Sequence, residues 1–343
     1  MGRPLPAVLR PTLVRHAALA VLAALALYVL TNVLGAYRDL QMAQAAYFAC
    51  AAVGLTVLTG LSGQISLGQG AFMAIGAYTT ALLINGWHWP LAAALFASAL
   101  VSAAAGLFVG AAAARLRGPY LAGATLALAV GLPELASYGP LTKHLGAQNG
   151  MSISPAPPPL SLGETFPLER WQAWIACGAT VITMFLLANL TRSRFGRTFR
   201  AVRDDEIAAS LAGIHVARTQ VLAFVVAAAC GGLGGGLLAF VTTLAAPGAF
   251  TITLSLQLVS AIILGGLGSL AGAIWGSLIL VLVPSWASDV AQSAHLSHNV
   301  ESNLPLAIYG LVLVVVMLAF PAGVQGGLRA LFGPILAHAR RSQ

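Results

Sequence analysis

The residues of this chain that could do chemistry are few, and most of them gather in one internal stretch. Residues 192–218 hold six arginines (Arg192, Arg194, Arg197, Arg200, Arg203 and Arg218) and three adjacent acids (Asp204, Asp205 and Glu206), and both flanks are apolar. A charged loop between apolar runs suits membrane orientation and docking, and such loops usually lie in the cytoplasm.

Elsewhere the residues argue against catalysis. The chain has one lysine, Lys143, preceded by Thr142, so no Gly-Lys-Ser/Thr phosphate loop exists. If ATP powers this protein, another polypeptide binds it. His295 and His298, with Asp289 and Glu301 nearby, lack the His-Glu-x-x-His arrangement of a zinc hydrolase and read as part of an exposed polar loop. There is no Gly-x-Ser-x-Gly elbow and no pair of acids placed for hydrolysis. Cys50, Cys177 and Cys230 sit within apolar runs and read as small buried hydrophobes. Glu134 is the one acid expected at membrane depth; it either faces a solute vestibule or reaches up to the headgroups.

The elements that carry these residues must be membrane helices. The mean hydropathy is +0.88. Charged residues make up 8% of the chain, against roughly 25% in soluble domains. Apolar runs recur that are long enough to cross roughly 30 Å of hydrocarbon. The net charge of +8 comes from arginines at the ends of these runs, with no continuous basic face for nucleic acid. The run 16–34 exceeds a signal-peptide core and reads as a retained span.

Crossing segments are expected at 16–34, 41–59, 71–86, 90–114, 119–138, 171–190 and 219–246, then 254–283 and 305–320. With the N-terminus inside, residues 60–70, Arg115, Arg117 and the loop 191–218 are inside, and the loop 139–170 is outside. Reading 254–283 as two arms of about fifteen residues, near 22 Å each, gives ten segments and an internal C-terminus. All but Arg38, Lys143 and Arg170 of the 17 Lys and Arg then face the cytoplasm. The break falls at Leu264-Gly265-Gly266-Leu267-Gly268-Ser269-Leu270, where each glycine weakens a helix by roughly 1 kcal/mol. A similar Gly/Ser-Leu turn spans Thr59 to Phe72, which suggests a weak internal duplication. Irregular backbone at membrane depth is buried in protein or faces a water-filled cavity. The pairs Gly106/Gly110, Gly231/Gly235, Gly232/Gly236 and Gly272/Gly276 suit close helix contact, mostly within the chain, with a share open to a partner subunit.

Asp204 to Gly213 reads as a short helix: Asp204 as N-cap, Asp205 and Glu206 at the positive dipole end, Gly213 as terminator. Ile207, Leu211 and Ile214 form one apolar stripe. Such a helix can lie on lipid, pack beneath its own spans or fit a groove in a partner.

The run Ser193-Arg194-Phe195-Gly196-Arg197 … Arg200-Ala201-Val202-Arg203-Asp204-Asp205-Glu206-Ile207-Ala208-Ala209 … Gly213-Ile214 resembles the cytoplasmic loop of permeases of the LivM family of branched-chain amino acid ABC importers. Gly60 to Tyr78, Arg117 to Ala127, Leu264 to Gly272 and Ile308-Tyr309-Gly310 resemble further blocks of that family, in order along the chain. The family often has Thr-Gly-Gly-x-x-Gly in its outer loop. Here Leu141 to Gly150 departs from it, and Pro155–Pro159 is proline-rich.

The resemblance implies one all-α permease domain over 1–343, a polytopic bundle of the type II ABC importer kind in a bacterial inner membrane with both termini cytoplasmic. It implies a non-enzymatic subunit that binds no cofactor of its own, ATP being held by partners. Those partners would be a LivH-like permease, two LivG/LivF-like ATPases, a periplasmic solute-binding protein and membrane lipid. The ATPase-coupling residues would be Arg200, Arg203, Asp204, Asp205, Glu206, Ile207, Ala208, Ala209 and Gly213, with Arg194 and Arg197 at the membrane face or the ATPase. The translocation path would take Ser66, Leu67, Gly68, Gln69, Gly70, Glu134, Gly265, Gly266, Gly268 and Ser269, whose free backbone groups could meet a zwitterionic solute. Close relatives carry urea or aromatic acids. The reading from another class is a secondary transporter or channel that needs no ATPase.

Overall fold

The computed structural model describes residues 9–330 except 117, 137, 155–156, 160–162, 164–165, 294–297 and 329. His295, Arg117, Pro155 and the terminal arginines Arg3, Arg329, Arg340 and Arg341 therefore lie outside the described residues.

The chain folds as a polytopic helical bundle. Its helices are α1 (Leu9–Val33), α2 (Ala36–Leu55), α3 (Gln69–Trp87), α4 (Leu91–Ala113), α5 (Pro119–Ala136), α6 (Gly139–Leu145) and α7 (Leu168–Arg192). Two short helices follow, α8 (Arg194–Asp204) and α9 (Glu206–Leu211), then α10 (Val216–Thr242), α11 (Ile252–Gly265), α12 (Leu270–Ser293) and α13 (His298–Ala319). Among the described residues, six helices are long and apolar enough to cross a membrane, and three shorter apolar helices fall in α5, α11 and α13. With α3 these make the ten segments expected. Strand β1 (Met151–Ser152) pairs antiparallel with β2 (Leu244–Ala245) and ties residues 139–170 to the end of α10.

Helix α10 is the axis. Its small residues let α2, α3 and α4 approach to backbone distance, and each glycine face is taken by a neighbour within the chain. A Cβ on Gly232 would lie 2.6 Å from the Ser98 carbonyl oxygen, and one on Gly234 would lie 2.8 Å from that of Tyr47. One on Gly235 would overlap the Met73 backbone, and one on Gly106 would lie 2.9 Å from the Phe224 carbonyl oxygen. The share of this glycine run left open for a partner subunit is not needed: the neighbours are α2, α3 and α4. Around the axis pack Phe72, Phe224, Phe240, Leu237 and Leu58, all buried.

The two ends of the bundle are distinct. At one end His16 of α1 hydrogen-bonds Asn189 of α7 at 2.8 Å, and Arg115 and Arg218 border one groove between α4 and α10. The loop α8–α9, the turn after α2, the α11–α12 turn and the segment at Gly323 share this end. At the other end Trp174 donates to Thr31 at 2.9 Å and Asn85 donates to the Ser152 carbonyl at 2.7 Å. Among the described residues, Arg115, Arg218 and the arginines of α8 thus share one end, while Arg38 and Arg170 lie at the other.

Two expectations need correction. The arms of 254–283 are unequal: α11 has 14 residues but α12 has 24, running to Ser293 with Pro284 inside it. Proline ends a helix in water, yet neighbouring helices and side chains compensate the freed backbone groups in a membrane bundle. Glu134 is also not the sole acid of interest at depth. Asp39, in the first turn of α2, is fully buried, with Arg170 of α7 at 3.5 Å. Read locally, Arg38-Asp39 is a polar border before a span starting at 41; the helix starts at Ala36 and takes Asp39 into the packing.

Candidate functional site

The charged loop is built from α7 outward. Ser193 caps α8 by accepting from the Phe195 amide at 3.1 Å. Gly196 packs so closely on Thr191 that a Cβ would overlap its backbone, and Arg200 donates to the Thr191 carbonyl at 2.8 Å. Phe199 and Val202 bury the inner face of α8. The helix is thereby fixed to the end of α7, with Arg194, Arg197 and Arg200 exposed. The Arg194 guanidinium lies 4.9 Å from the Phe195 ring centroid.

The second loop helix starts one residue later than the sequence suggests. Asp205, in extended backbone, is the cap: its Oδ1 accepts from the Ile207 amide at 2.8 Å and the Ala208 amide at 3.0 Å. Asp204 ends α8 and ion-pairs with Arg203 at 2.8 Å. Two adjacent aspartates offer the same cap chemistry, and only the burial of Phe199 and Val202, which extends α8, decides between them. Gly213 does terminate α9, at φ +81°. The Ile214 amide returns to the Ala209 carbonyl and the Gly213 amide to Ser210, both at 3.0 Å, a doubly bonded left-handed stop.

The apolar stripe divides accordingly. Ala209 faces the bundle, and Glu206 accepts from Gln220 of α10 at 2.9 Å. Ile214, beyond the stop, is half-buried. Ile207 and Leu211 point away from the chain, 74% and 85% exposed. Of the three docking modes, packing of these two beneath their own spans is ruled out. Beside them, Ser210, Gly213, Ile214, His215 and Arg218 line a recess of about 450 Å³.

The two glycine turns lie above the loop. After α2 a π-helical stretch, Thr56–Leu61, leads into an irregular segment, and α3 begins at Gln69. Gly60 of this stretch meets Gly268 of the α11–α12 turn: a Cβ on Gly60 would lie 2.7 Å from the Gly268 Cα. Gly266 has φ +115° and Gly268 +81°, conformations that other residues rarely adopt.

Three backbone amides between Ser66 and Gly70 are not free. The Leu67 amide donates to Thr125 and the Gly70 amide to Ser255, each at 3.0 Å, and the Gly68 amide donates to Ser66 at 3.3 Å. Gln69, fully buried, donates to the Ala51 and Ala227 carbonyls, each at 3.0 Å. Thr125 and Ser255, which sequence reading did not single out, thus hold this turn. Their signal is a hydroxyl on an otherwise apolar helix face. Gly265 and Gly266 are buried, Ser269 is half-buried, and the exposed tips of the turns are Ile65 and Leu267. Glu134 is exposed on α5. Among the described residues no group of three or more His, Cys, Asp or Glu comes together as a metal site would require.

The family described as "Branched-chain amino acid transport system / permease component" matches residues 37–321, from α2 to the end of α13. The chain belongs to this family. It is 35% identical over 253 residues to the high-affinity branched-chain amino acid transport system permease protein LivM of Salmonella typhimurium. That match covers 67% of this chain and 59% of the relative, and the LivM of Escherichia coli is 33% identical over the same shares. The chain thus spans about three-fifths of the length of these LivM relatives. The high-affinity branched-chain amino acid transport system permease protein LivH of Escherichia coli is 31% identical over 301 residues, 81% of this chain and 91% of that protein. No solved structure matches the chain. The permease family and the apolar helices together make this a multi-pass membrane protein.

Proposed function

We propose that this chain is the translocation subunit of an ATP-binding-cassette importer for branched-chain, hydrophobic amino acids. It is non-catalytic and binds no cofactor; ATP is held by two LivG/LivF-like ATPase subunits. A LivH-like permease completes the membrane part, and a periplasmic solute-binding protein delivers the solute. The chain sits in a bacterial inner membrane with both termini and residues 191–218 cytoplasmic and 139–170 periplasmic. Helix α9 is the coupling helix, seated in a cleft of an ATPase. Closure of the ATPases moves α9, and the spans alternate access. The path runs past the turns at Ser66–Gly70 and Gly265–Ser269 and past Glu134.

The observation that carries this reading is the exposed pair Ile207 and Leu211 on a helix capped at both ends. Two large apolar side chains held rigidly in a basic loop are a docking face, because exposing them has no structural return. The arginines around them favour the ATPase or the anionic membrane surface at the rim.

The test is Glu206→Lys combined with Gly213→Pro. The first removes the bond to Gln220, and the second cannot adopt φ +81°. Membrane insertion should persist while ATPase co-purification and uptake fall. Unchanged uptake defeats the docking role. A related solute such as urea or an aromatic acid is the second reading. It is favoured by the departure of Leu141–Gly150 from the family's outer-loop pattern, and ligand-induced thermal shifts of the binding protein distinguish the two.

A further inference from the structure

We propose that Arg203 is a positioning residue that joins the coupling loop to both glycine turns, so that motion of α8–α9 reaches the spans through one guanidinium. This rests on the importer reading above.

Arg203 stands on α8 among exposed arginines, and its side chain is 40% exposed, but one end of its guanidinium reaches the turn after α2. Its Nη1 donates to the Gly60 carbonyl at 3.0 Å. Its Nε and Nη2 both donate to Asp204 Oδ1, at 3.0 and 2.8 Å. The carboxylate therefore fixes the plane of the guanidinium, and the remaining nitrogen is aimed at the turn. The stem of Arg203 is seated as well. A Cβ on Gly63 would lie 2.7 Å from Arg203 Cγ, and Gly63 has φ +76°, so the chain bends around this side chain.

The accepting carbonyl sits where it can pass on a displacement. Gly60 is near the end of the π-helical stretch, where carbonyls run out of helical amide partners. On its other side it meets the backbone of Gly268, with no side chain between to absorb movement. Gly266, two residues before, packs on the segment at Gly323. At the loop end, α8 is held rigid by Phe199 and Val202, and α9 joins it through the single extended residue Asp205. A contiguous path thus runs from the exposed face of α9 through α8 and Arg203 to Gly60 and Gly268. Discrete packed contacts of this kind carry displacement between sites.

The other arginines of α8 lack this placement. Arg200 bonds only to Thr191, at the end of its own neighbouring helix, and Arg194 lies over Phe195. A loop arginine that only attracts lipid or an ATPase would not need an internal carbonyl or a glycine cleared for its stem.

The experiment uses the full complex with ATPases and binding protein in proteoliposomes, and reads solute taken up per ATP hydrolysed. Arg203→Gln, too short to reach Gly60, should lower that ratio about tenfold, the scale of one lost charged hydrogen bond. Arg203→Lys keeps a cation able to reach the carbonyl and should recover to within about threefold of wild type; Asp204→Asn, which loosens the guanidinium plane, should fall between. A merely structural role lowers assembled complex, uptake and hydrolysis together and leaves the ratio unchanged. The proposal is overturned by an unchanged ratio in Arg203→Gln, or by Arg203→Lys being as uncoupled as Arg203→Gln. Should Arg203→Gln fail to assemble, the other two variants are read against wild type: an unchanged ratio in Asp204→Asn, or a fall well beyond about threefold in Arg203→Lys, overturns the proposal. A wild-type complex without ATP-dependent uptake contradicts the importer reading itself, which is a separate result.

Discussion

Gly60 and Gly268 touch backbone to backbone, so the turn after α2 and the turn between α11 and α12 form one contact at the loop end of the bundle. Gly60 has no room for a methyl group, and Gly268 is held at φ +81°. Gly60→Ala should destabilise the protein by about 1–3 kcal/mol, because overpacking here can only be relieved by moving backbone. Gly178→Ala, on α7 with open space around it, should be neutral or stabilising by up to about 1 kcal/mol. Melting temperatures in detergent compare the two; equal shifts would show that the contact is not tight.

Asp205 supplies the only side-chain cap of α9. Asp205→Ala should cost the helix about 1 kcal/mol and weaken ATPase association roughly fivefold, while Asp205→Ser should stay near wild type. Asp204→Ala leaves the cap intact and should not reproduce the association defect. Binding of purified ATPase to the permease in detergent, titrated for each variant, checks the order.

Ile207 and Leu211 are largely uncovered by the described residues of their own chain. Replacing both with aspartate should change thermal stability by no more than about 0.5 kcal/mol, as for other surface substitutions. Co-purification of the ATPase should nevertheless be lost. A large drop in melting temperature with the ATPase retained would reverse the assignment of this face.

The Asp39–Arg170 pair makes a different kind of prediction. Asp39 is fully buried and its carboxylate has no hydrogen-bond partner among the described residues, so Arg170 at 3.5 Å is its compensating charge. Arg170→Ala should therefore destabilise by about 3 kcal/mol, and Asp39→Asn with Arg170→Gln should recover much of that loss. Thermal denaturation of the single and double variants gives the coupling. Additive losses would mean that the two groups do not interact.

Much of the architecture was legible because hydropathy is a local property. Apolar run length placed the spans, and the glycines at 265–268 placed the break between α11 and α12. The charge asymmetry grouped Arg115, Arg218 and the arginines of α8, which share one end of the bundle. What escaped depends on residues distant in the chain. The burial of Asp39 follows from where α7 delivers Arg170, and the cap falls on Asp205 because α8 extends to bury Val202. Arg203 looks like its neighbours in sequence and differs only in having Gly60 and Gly63 beneath it. The Leu67 and Gly70 amides, expected to be free for solute, are taken up by Thr125 and Ser255 from helices far along the chain.

The central claim is that ATP hydrolysis on companion subunits drives solute through this chain. Its most direct test is uptake of radiolabelled leucine into proteoliposomes containing this chain alone, or this chain with its permease partner, ATPases and binding protein. The account predicts ATP-dependent accumulation only in the complete set, and none with the chain alone under any imposed ion gradient. Accumulation by the isolated chain, driven by a proton or sodium gradient, would contradict it.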